Sequence, residues 1–223
     1  TGDKIAAKSV GFSPENRWLI SADPTGNNIS LIEPLGENED KVIVDWSPNK
    51  QIVAMSLTGE SLGSDRQEVL FVGQNGENFK STIVEGRDLR TQWSKTGEKL
   101  LYSVYNTRND FKPELWVVGG QGSALGTGRK LLNVDTWADK CTFYDDRFVF
   151  CGVPQTLDKG VGFAPSLADT TSDDLYKIDA QSGLKTKIPI DDFHVIDTIN
   201  VSKDGKTLYF TDKNVPGLFT VVL

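Results

Sequence analysis

Apolar and polar residues alternate along most of the chain in short runs, at the two-residue period of β-strands. The clearest stretch is residues 93–134. There Trp93 ends one run, the polar turn SKTGEK follows, and LLYS, ELWVVG and RKLLNV give three more runs. No segment keeps apolar residues at the 3.6-residue spacing of an amphipathic helix. The pattern therefore predicts a four-stranded antiparallel unit and very little helix.

The same frame, an apolar anchor followed by a polar turn and a strand, recurs along the sequence. The anchors lie 34 to 58 residues apart and are Phe12, Trp46, Trp93, Phe143 and Val201. Four-stranded units at this period are typical of β-propeller blades. We therefore predict an all-β fold, a β-propeller of about five four-stranded antiparallel blades in a single domain over residues 1–223, either complete or part of a larger ring. Because each blade packs on the next, we expect Trp46 and Trp93 to be buried between blades.

Both ends of the chain depart from this frame. Only 34 residues separate Phe12 from the next anchor, fewer than four strands and their turns need. Either Phe12 follows an inner strand, or residues 18–35 align with 175–190 and form the outer hairpin of a blade. The last copy ends after a third strand at residues 217–223. Two explanations stay open: an N-terminal strand completes the last blade, or the sequence is part of a longer chain.

Charge and composition exclude some classes of function. The formal net charge is −7 and the sequence pI is about 4.8, whereas nucleic-acid binding requires a basic surface. No run of eighteen or more apolar residues occurs, and no signal-peptide pattern begins at Thr1. We therefore expect no nucleic-acid partner, and either a cytoplasmic protein or one whose leader or membrane anchor lies outside this sequence.

The two cysteines bear on the compartment. Cys141 and Cys151 flank the reversal TFYDDRFVF, and pairing of Tyr144 with Phe148 would place them directly opposite each other on neighbouring strands. The alternatives are a disulfide and two reduced, buried thiols. A disulfide would indicate an oxidising compartment, and we predict that the bond forms.

No motif in the sequence indicates a cofactor or a metal. The loop GGQGSALGTGRK has the wrong glycine spacing for a phosphate-binding loop. His194 is the only histidine and has no nucleophile motif to serve, so we interpret it as a polar residue at a strand edge. The main alternative function is that of a carbohydrate-active enzyme or lectin that uses the mouth of the channel. Carboxylates of the inner strands could serve such a site, or they could be polar strand ends in the channel. The candidates are Asp45, Asp88, Asp139 and Asp197.

The repeats resemble those of TolB-type propellers, which are WD-like. The resemblance rests on WSPNK, WSKTGEK, VSKDGK and DLYKIDAQSG, and it covers nearly the whole chain. The stretch from residue 133 to 188 also resembles a group of uncharacterised membrane-anchored bacterial propeller proteins. The resemblance implies a propeller fold and an extracytoplasmic, periplasmic or cell-surface location, with an anchor in the full-length protein. Asn49 departs from the usual Asp-Gly turn, and the copy at Phe143 lacks Ser-Pro. The repeat motif contains no catalytic residue.

Long connections between second and third strands should gather on one face of a propeller, together with connections between blades. They include residues 104–113 and the 22-residue insertion 152–173. Long insertions on a rigid scaffold commonly carry binding, so we predict a non-catalytic module that binds another protein there. The predicted binding residues are Arg108, Asp110, Trp137, Val161, Phe163 and Leu167. The alternative is that these side chains fold back on their own blades.

Overall fold

The computed structural model describes residues 2–77 and 79–223. These residues form five antiparallel sheets and contain no α-helix, only short 3-10 turns. The all-β propeller prediction is therefore confirmed at the level of the fold. The 3-10 turns are Pro14–Asn16, Glu39–Lys41, Thr107–Asn109, Gly122–Ala124, Ala138–Lys140 and Pro165–Ala168.

In each sheet, which we call a blade, neighbouring strands are consecutive in sequence. Blade 1 comprises β1 (Ile5–Val10), β2 (Arg17–Ala22) and β3 (Ser30–Pro34). Blade 2 comprises β4 (Val42–Val44), β5 (Ile52–Ser56), β6 (Gln67–Gly73) and β7 (Thr82–Val84). Blade 3 comprises β8 (Arg87–Trp93), β9 (Lys99–Tyr105), β10 (Pro113–Gly119) and β11 (Lys130–Asp135). Blade 4 comprises β12 (Cys141–Phe143), β13 (Phe148–Pro154), β14 (Asp173–Asp179) and β15 (Lys185–Ile188). Blade 5 comprises β16 (Ile196–Val201), β17 (Thr207–Asp212) and β18 (Leu218–Val222).

The hydrophobic core lies between consecutive blades. Trp93 packs in the cluster between blades 2 and 3, and its indole Nε1–H donates to the carbonyl of Asp45 at 3.2 Å. Phe143 is buried in the next cluster, between blades 3 and 4. Trp93 and Phe143 therefore both pack on the preceding blade, and the predicted burial of Trp93 is confirmed.

Trp46 is less enclosed than expected. It packs against the cluster between blades 1 and 2 that includes Leu19 and Val53, but its side chain is only partly buried. One side of it borders a surface cavity whose lining includes Asp3 and Lys50. Trp46 therefore packs between blades as predicted, but the prediction that its side chain is buried is wrong.

Blade 1 has three strands, with β1 nearest to the inner strand of blade 2. Lys8 of β1 donates from Nζ to the carbonyl of Val42 at 3.1 Å, which favours the alternative that places Phe12 after an inner strand. Phe12 itself is fully exposed, because among the described residues no blade precedes blade 1 to cover it. Its expected role as a core anchor is therefore wrong.

The N-terminal strand does not complete the last blade. β1 pairs with β2 alone, and the order of blade 5 is β16-β17-β18 with no fourth strand among the described residues. Closure of the ring by an N-terminal strand is therefore not observed. That residues 1–223 form a single domain stays a prediction.

Candidate functional site

The most distinctive surface of the molecule is a cap formed by residues 155–172, the connection between β13 and β14. Its neck is closed by a hydrogen bond from the backbone N–H of Gln155 to the carbonyl of Ser172, at 2.9 Å. Between these ends the chain forms turns and the 3-10 turn Pro165–Ala168. The cap is thus a folded connection.

One end of the cap is attached to blade 3. The backbone N–H groups of Gly160 and Gly162 donate to the carbonyls of Asp110 and Phe111, each at 2.8 Å. Both acceptor residues have positive φ, 52° and 57°, a left-handed conformation that non-glycine residues seldom adopt. A Cβ at Gly162 would lie 2.5 Å from the carbonyl oxygen of Phe111, so the close approach requires glycine.

The other end of the cap is attached to blade 5. Asp169 accepts from Lys213 Nζ at 2.6 Å through a carboxylate oxygen, and from Asn214 Nδ2 at 2.6 Å through its carbonyl. The insertion therefore leaves blade 4 and reaches both neighbouring blades. Clustering of long connections on one face, predicted from their lengths, is confirmed by these contacts.

Two of the predicted binding residues are buried where the cap meets the rest of the propeller. Trp137 is 4% exposed and Val161 is 1% exposed, and they form a small hydrophobic cluster with Ala168 and Leu157. Their side chains fold back on the scaffold, the alternative that the sequence left open. They hold the cap in place and offer no surface to a partner, so their predicted direct binding role is not supported by their burial.

The other predicted binding residues are at the surface. Phe163 is 62% exposed and Leu167 is 59% exposed. Phe163 contacts two aromatic rings, Tyr105 at 4.7 Å and Phe111 at 4.8 Å between centroids. These contacts hold the Phe163 ring on the scaffold and leave most of it open to solvent. Tyr105 and Phe111 were missed from the sequence, although both are aromatic residues beside the long connection 104–113.

Arg108 and Asp110 are also exposed, and each has an ionic neighbour. Arg108 Nη2 lies 3.4 Å from Glu85 Oε2, and Asp110 Oδ1 lies 3.4 Å from Lys159 Nζ. Such exposed pairs contribute little to stability. Their side chains are therefore free to exchange these neighbours for a binding partner.

A buried ion pair supports the cap from below. Lys140 Nζ lies 2.6 Å from Asp173 Oδ2, and the exposed fractions of the two side chains are 7% and 0%. The same carboxylate accepts from the backbone N–H of Ile196 at 2.6 Å. Burial raises the pKa of Asp173, while the ammonium of Lys140 opposes the rise. This network ties blade 4 to blade 5 where the inner strands meet.

The carboxylates considered for sugar hydrolysis are largely engaged. Arg90 binds Asp88 at 3.1 Å and Asp139 at 2.8 Å. Asp45 accepts from the hydroxyl of Thr91 at 2.5 Å, and burial raises the pKa of Asp45. Asp197 borders a cavity of about 50 Å³ beneath the cap, too small for a sugar ring. Nothing in this arrangement favours hydrolysis of a glycoside.

His194 and the cysteines have structural surroundings. His194 Nδ1 lies 3.0 Å from Asp212 Oδ2, and the imidazole packs against the rings of Phe210 and Phe219. Cys141 and Cys151 are paired directly across β12 and β13, and a disulfide joins them. The predicted bond is therefore confirmed.

In the described ranges, no helix is long and apolar enough to cross a membrane.

Comparison with known proteins identifies the fold but no family. No family model matches the sequence, and no curated protein matches it either. Among solved structures, the chain is similar to the β-propeller domain of the Trilobed protease from Pyrococcus furiosus, with a TM-score of 0.57 and 14% identity over 97% of this chain. It is also similar to the Pyrococcus horikoshii acylaminoacyl peptidase, with a TM-score of 0.57 and 12% identity over 95% of this chain. A structure from a study of two prolyl endopeptidases gives a TM-score of 0.54 and 15% identity over 94% of this chain.

The chain spans only part of these proteins: 64% of the Trilobed protease propeller chain, 34% of the acylaminoacyl peptidase and 30% of the prolyl endopeptidase. At such low identities the similarity establishes the propeller fold alone.

Proposed function

We propose that this chain is a non-catalytic propeller module that binds another protein through the exposed apolar part of the cap, formed by Phe163 and Leu167. The observation that carries the proposal is that these side chains are exposed on a connection fixed to three blades. A rigid apolar contact loses little conformational entropy on binding. Peptidase propellers among its structural neighbours support a role in contacting proteins.

The finer parts of the proposal concern family and location. We infer a TolB-type propeller, extracytoplasmic and held at a membrane by an anchor outside this sequence. The repeat motifs support the first part, and the disulfide between Cys141 and Cys151 supports an oxidising compartment. Counting free thiols in protein isolated from its native host tests the location, since two free thiols would contradict it.

The binding surface is tested with a double variant, Phe163→Ser with Leu167→Ser. We expect it to stay folded, because both side chains are mostly exposed, and to lose the protein captured by the unchanged chain in a cross-linking pull-down from the native host. Leu184→Ser is the control, since Leu184 is 75% exposed on the β14–β15 hairpin, away from the cap. A partner retained by the double variant, or lost equally by the control, would refute the proposal.

A further inference from the structure

A second candidate site lies in a groove between blades 2 and 3, at the outer edge of the propeller. Its volume is about 790 Å³. We call it the arginine groove, and its lining residues are Arg66, Glu85, Arg108, Trp116, Gly128 and Arg129. Three guanidinium groups and one carboxylate meet there, although the chain as a whole carries a formal net charge of −7. The groove is therefore a local basic site on an acidic protein.

The arginines have many donors to spare. Arg66 is exposed and makes no hydrogen bond or ion pair within residues 2–77 and 79–223. Arg108 and Arg129 share Glu85, at 3.4 Å and 3.3 Å, and Arg129 also donates to the carbonyl of Ile83. Charge-assisted hydrogen bonds are commonly shorter, at about 2.7–2.9 Å. Because each guanidinium has five N–H donors, Glu85 does not saturate the groove.

Two buried polar groups beside these arginines also lack partners. The indole Nε1 of Trp116 and the hydroxyl of Tyr102 have no hydrogen bond among the described residues. The two rings are parallel, 6.2 Å apart, and Tyr102 is only 1% exposed. Arg129 lies beside the Tyr102 hydroxyl, but the two make no hydrogen bond of ordinary geometry. Buried polar groups are usually paired, so the indole N–H of Trp116, which lines the groove, and the hydroxyl of Tyr102, on which its ring stacks, are exceptions.

We propose that the arginine groove binds a carboxylate, presented by an acidic peptide segment. Guanidinium groups match the planar, two-oxygen geometry of a carboxylate. A carboxylate carries one negative charge, which suits a groove where Glu85 already offsets one of the three arginines, whereas phosphate carries more charge. Trp116 lines the same groove, and its indole N–H is a further donor that has no partner among the described residues. The proposal goes beyond the protein-binding role of the cap, because it rests on none of the cap's residues.

The test follows the indole N–H signal of Trp116 by NMR during titration, with Trp116→Phe used to assign the signal. The probes are the blocked peptides acetyl-Gly-Glu-Glu-Gly-amide and acetyl-Gly-Gln-Gln-Gly-amide, with acetate and inorganic phosphate as further arms. We expect a saturable shift with the glutamate peptide and none with the glutamine peptide. Arg66→Gln should weaken binding about tenfold, the loss typical of one charge-assisted hydrogen bond. This variant should fold normally, because Arg66 has no partner within the described parts of the chain.

Lys203→Gln is the control, since it removes one exposed positive charge away from the groove. It should leave binding unchanged. Tighter binding of the glutamate peptide than of acetate supports an acidic protein segment, and equal binding supports a carboxylate site for small anions. The proposal is overturned if the glutamate peptide causes no saturable shift, if phosphate binds more tightly than any carboxylate, or if Arg66→Gln and Lys203→Gln weaken binding equally.

Discussion

The backbone N–H of Gly162 donates to the carbonyl of Phe111 at 2.8 Å, although the two residues belong to connections of different blades. A side chain at Gly162 would meet that carbonyl at 2.5 Å and the Cβ of Tyr105 at 2.6 Å. Atoms this close cannot be accommodated without moving backbone. The cap can therefore take this position only because Gly162 has no side chain.

We predict that Gly162→Ala loosens the cap while the blades stay folded. Overpacking of this kind costs about 1–3 kcal/mol, and detachment of the cap is the easiest way to relieve it. The measurement is hydrogen exchange of the Gly160 and Gly162 amides, together with limited proteolysis within residues 155–172. Both rates should rise, while Ser166→Ala, an exposed position in the same cap, should behave like the unchanged chain. Unaltered exchange in Gly162→Ala would contradict the close packing.

A second prediction concerns the buried pair of Lys140 and Asp173. Removing one member leaves the other charge buried without its partner, so Lys140→Met and Asp173→Asn should each lower the free energy of unfolding by about 3–5 kcal/mol. The double variant should cost clearly less than the sum, because neither charge remains. Urea denaturation of the four proteins gives the coupling.

The pair of Lys213 and Asp169 is the control for that cycle, since the side chains are about one third exposed, at 33% and 36%. Lys213→Met should cost less than about 1 kcal/mol. Additive effects of Lys140→Met and Asp173→Asn would show that the buried pair is not coupled.

The repeat allowed most of the fold to be predicted, because each blade contains the same local information: an apolar anchor, a polar turn and an alternating strand. The neighbours of a blade are not contained in its own residues. Phe12 has the sequence of an anchor, yet it is exposed because no blade covers it within the described residues. Trp46 is half covered for a related reason, since its neighbour is the three-stranded blade 1.

The candidate site was predictable in place but not in detail. Loop lengths alone indicated the face on which the cap lies. They could not distinguish Val161, which points into the cap, from Phe163, which lies at its surface, because turns have no fixed period of burial. The arginine groove was missed, since Arg66 and Arg129 are far apart in sequence and only the packing of blades 2 and 3 brings them together.

A third prediction concerns acid stability and rests on Asp179. The guanidinium of Arg147 lies 2.7 Å from its carboxylate and holds the pKa of Asp179 well below its usual range, with help from the backbone N–H groups of Ser182 and Gln181. A carboxyl group with a lowered pKa stabilises the fold above its unfolded pKa, about 3.9. That contribution disappears as the pH falls towards the folded pKa.

The stability gap between the unchanged chain and Asp179→Asn should therefore be largest near neutral pH and should shrink below about pH 4. Urea midpoints measured from pH 7 down to pH 2.5 would show this. Asp191→Asn is the control, because Asp191 is exposed and makes no hydrogen bond or ion pair in the part of the chain described. A gap that widens on acidification would refute the assigned cause.

The last prediction concerns the disulfide that joins Cys141 to Cys151 across β12 and β13. Both residues are buried, 2% and 0% exposed, and they are 10 residues apart in sequence. Closing so short a loop restricts the unfolded chain and stabilises the fold by about 3 kcal/mol in the chain-entropy description. For a domain of this size that corresponds to a fall in Tm of about 6–12 °C on reduction.

Because the cysteines also belong to the core between blades 3 and 4, the comparison needs a variant without thiols. Cys141→Ala with Cys151→Ala should already have a lowered Tm and should not respond to reductant. A Tm that stays constant in the unchanged chain, after thiol counting has shown complete reduction, would mean that packing of the two side chains alone holds β12 to β13.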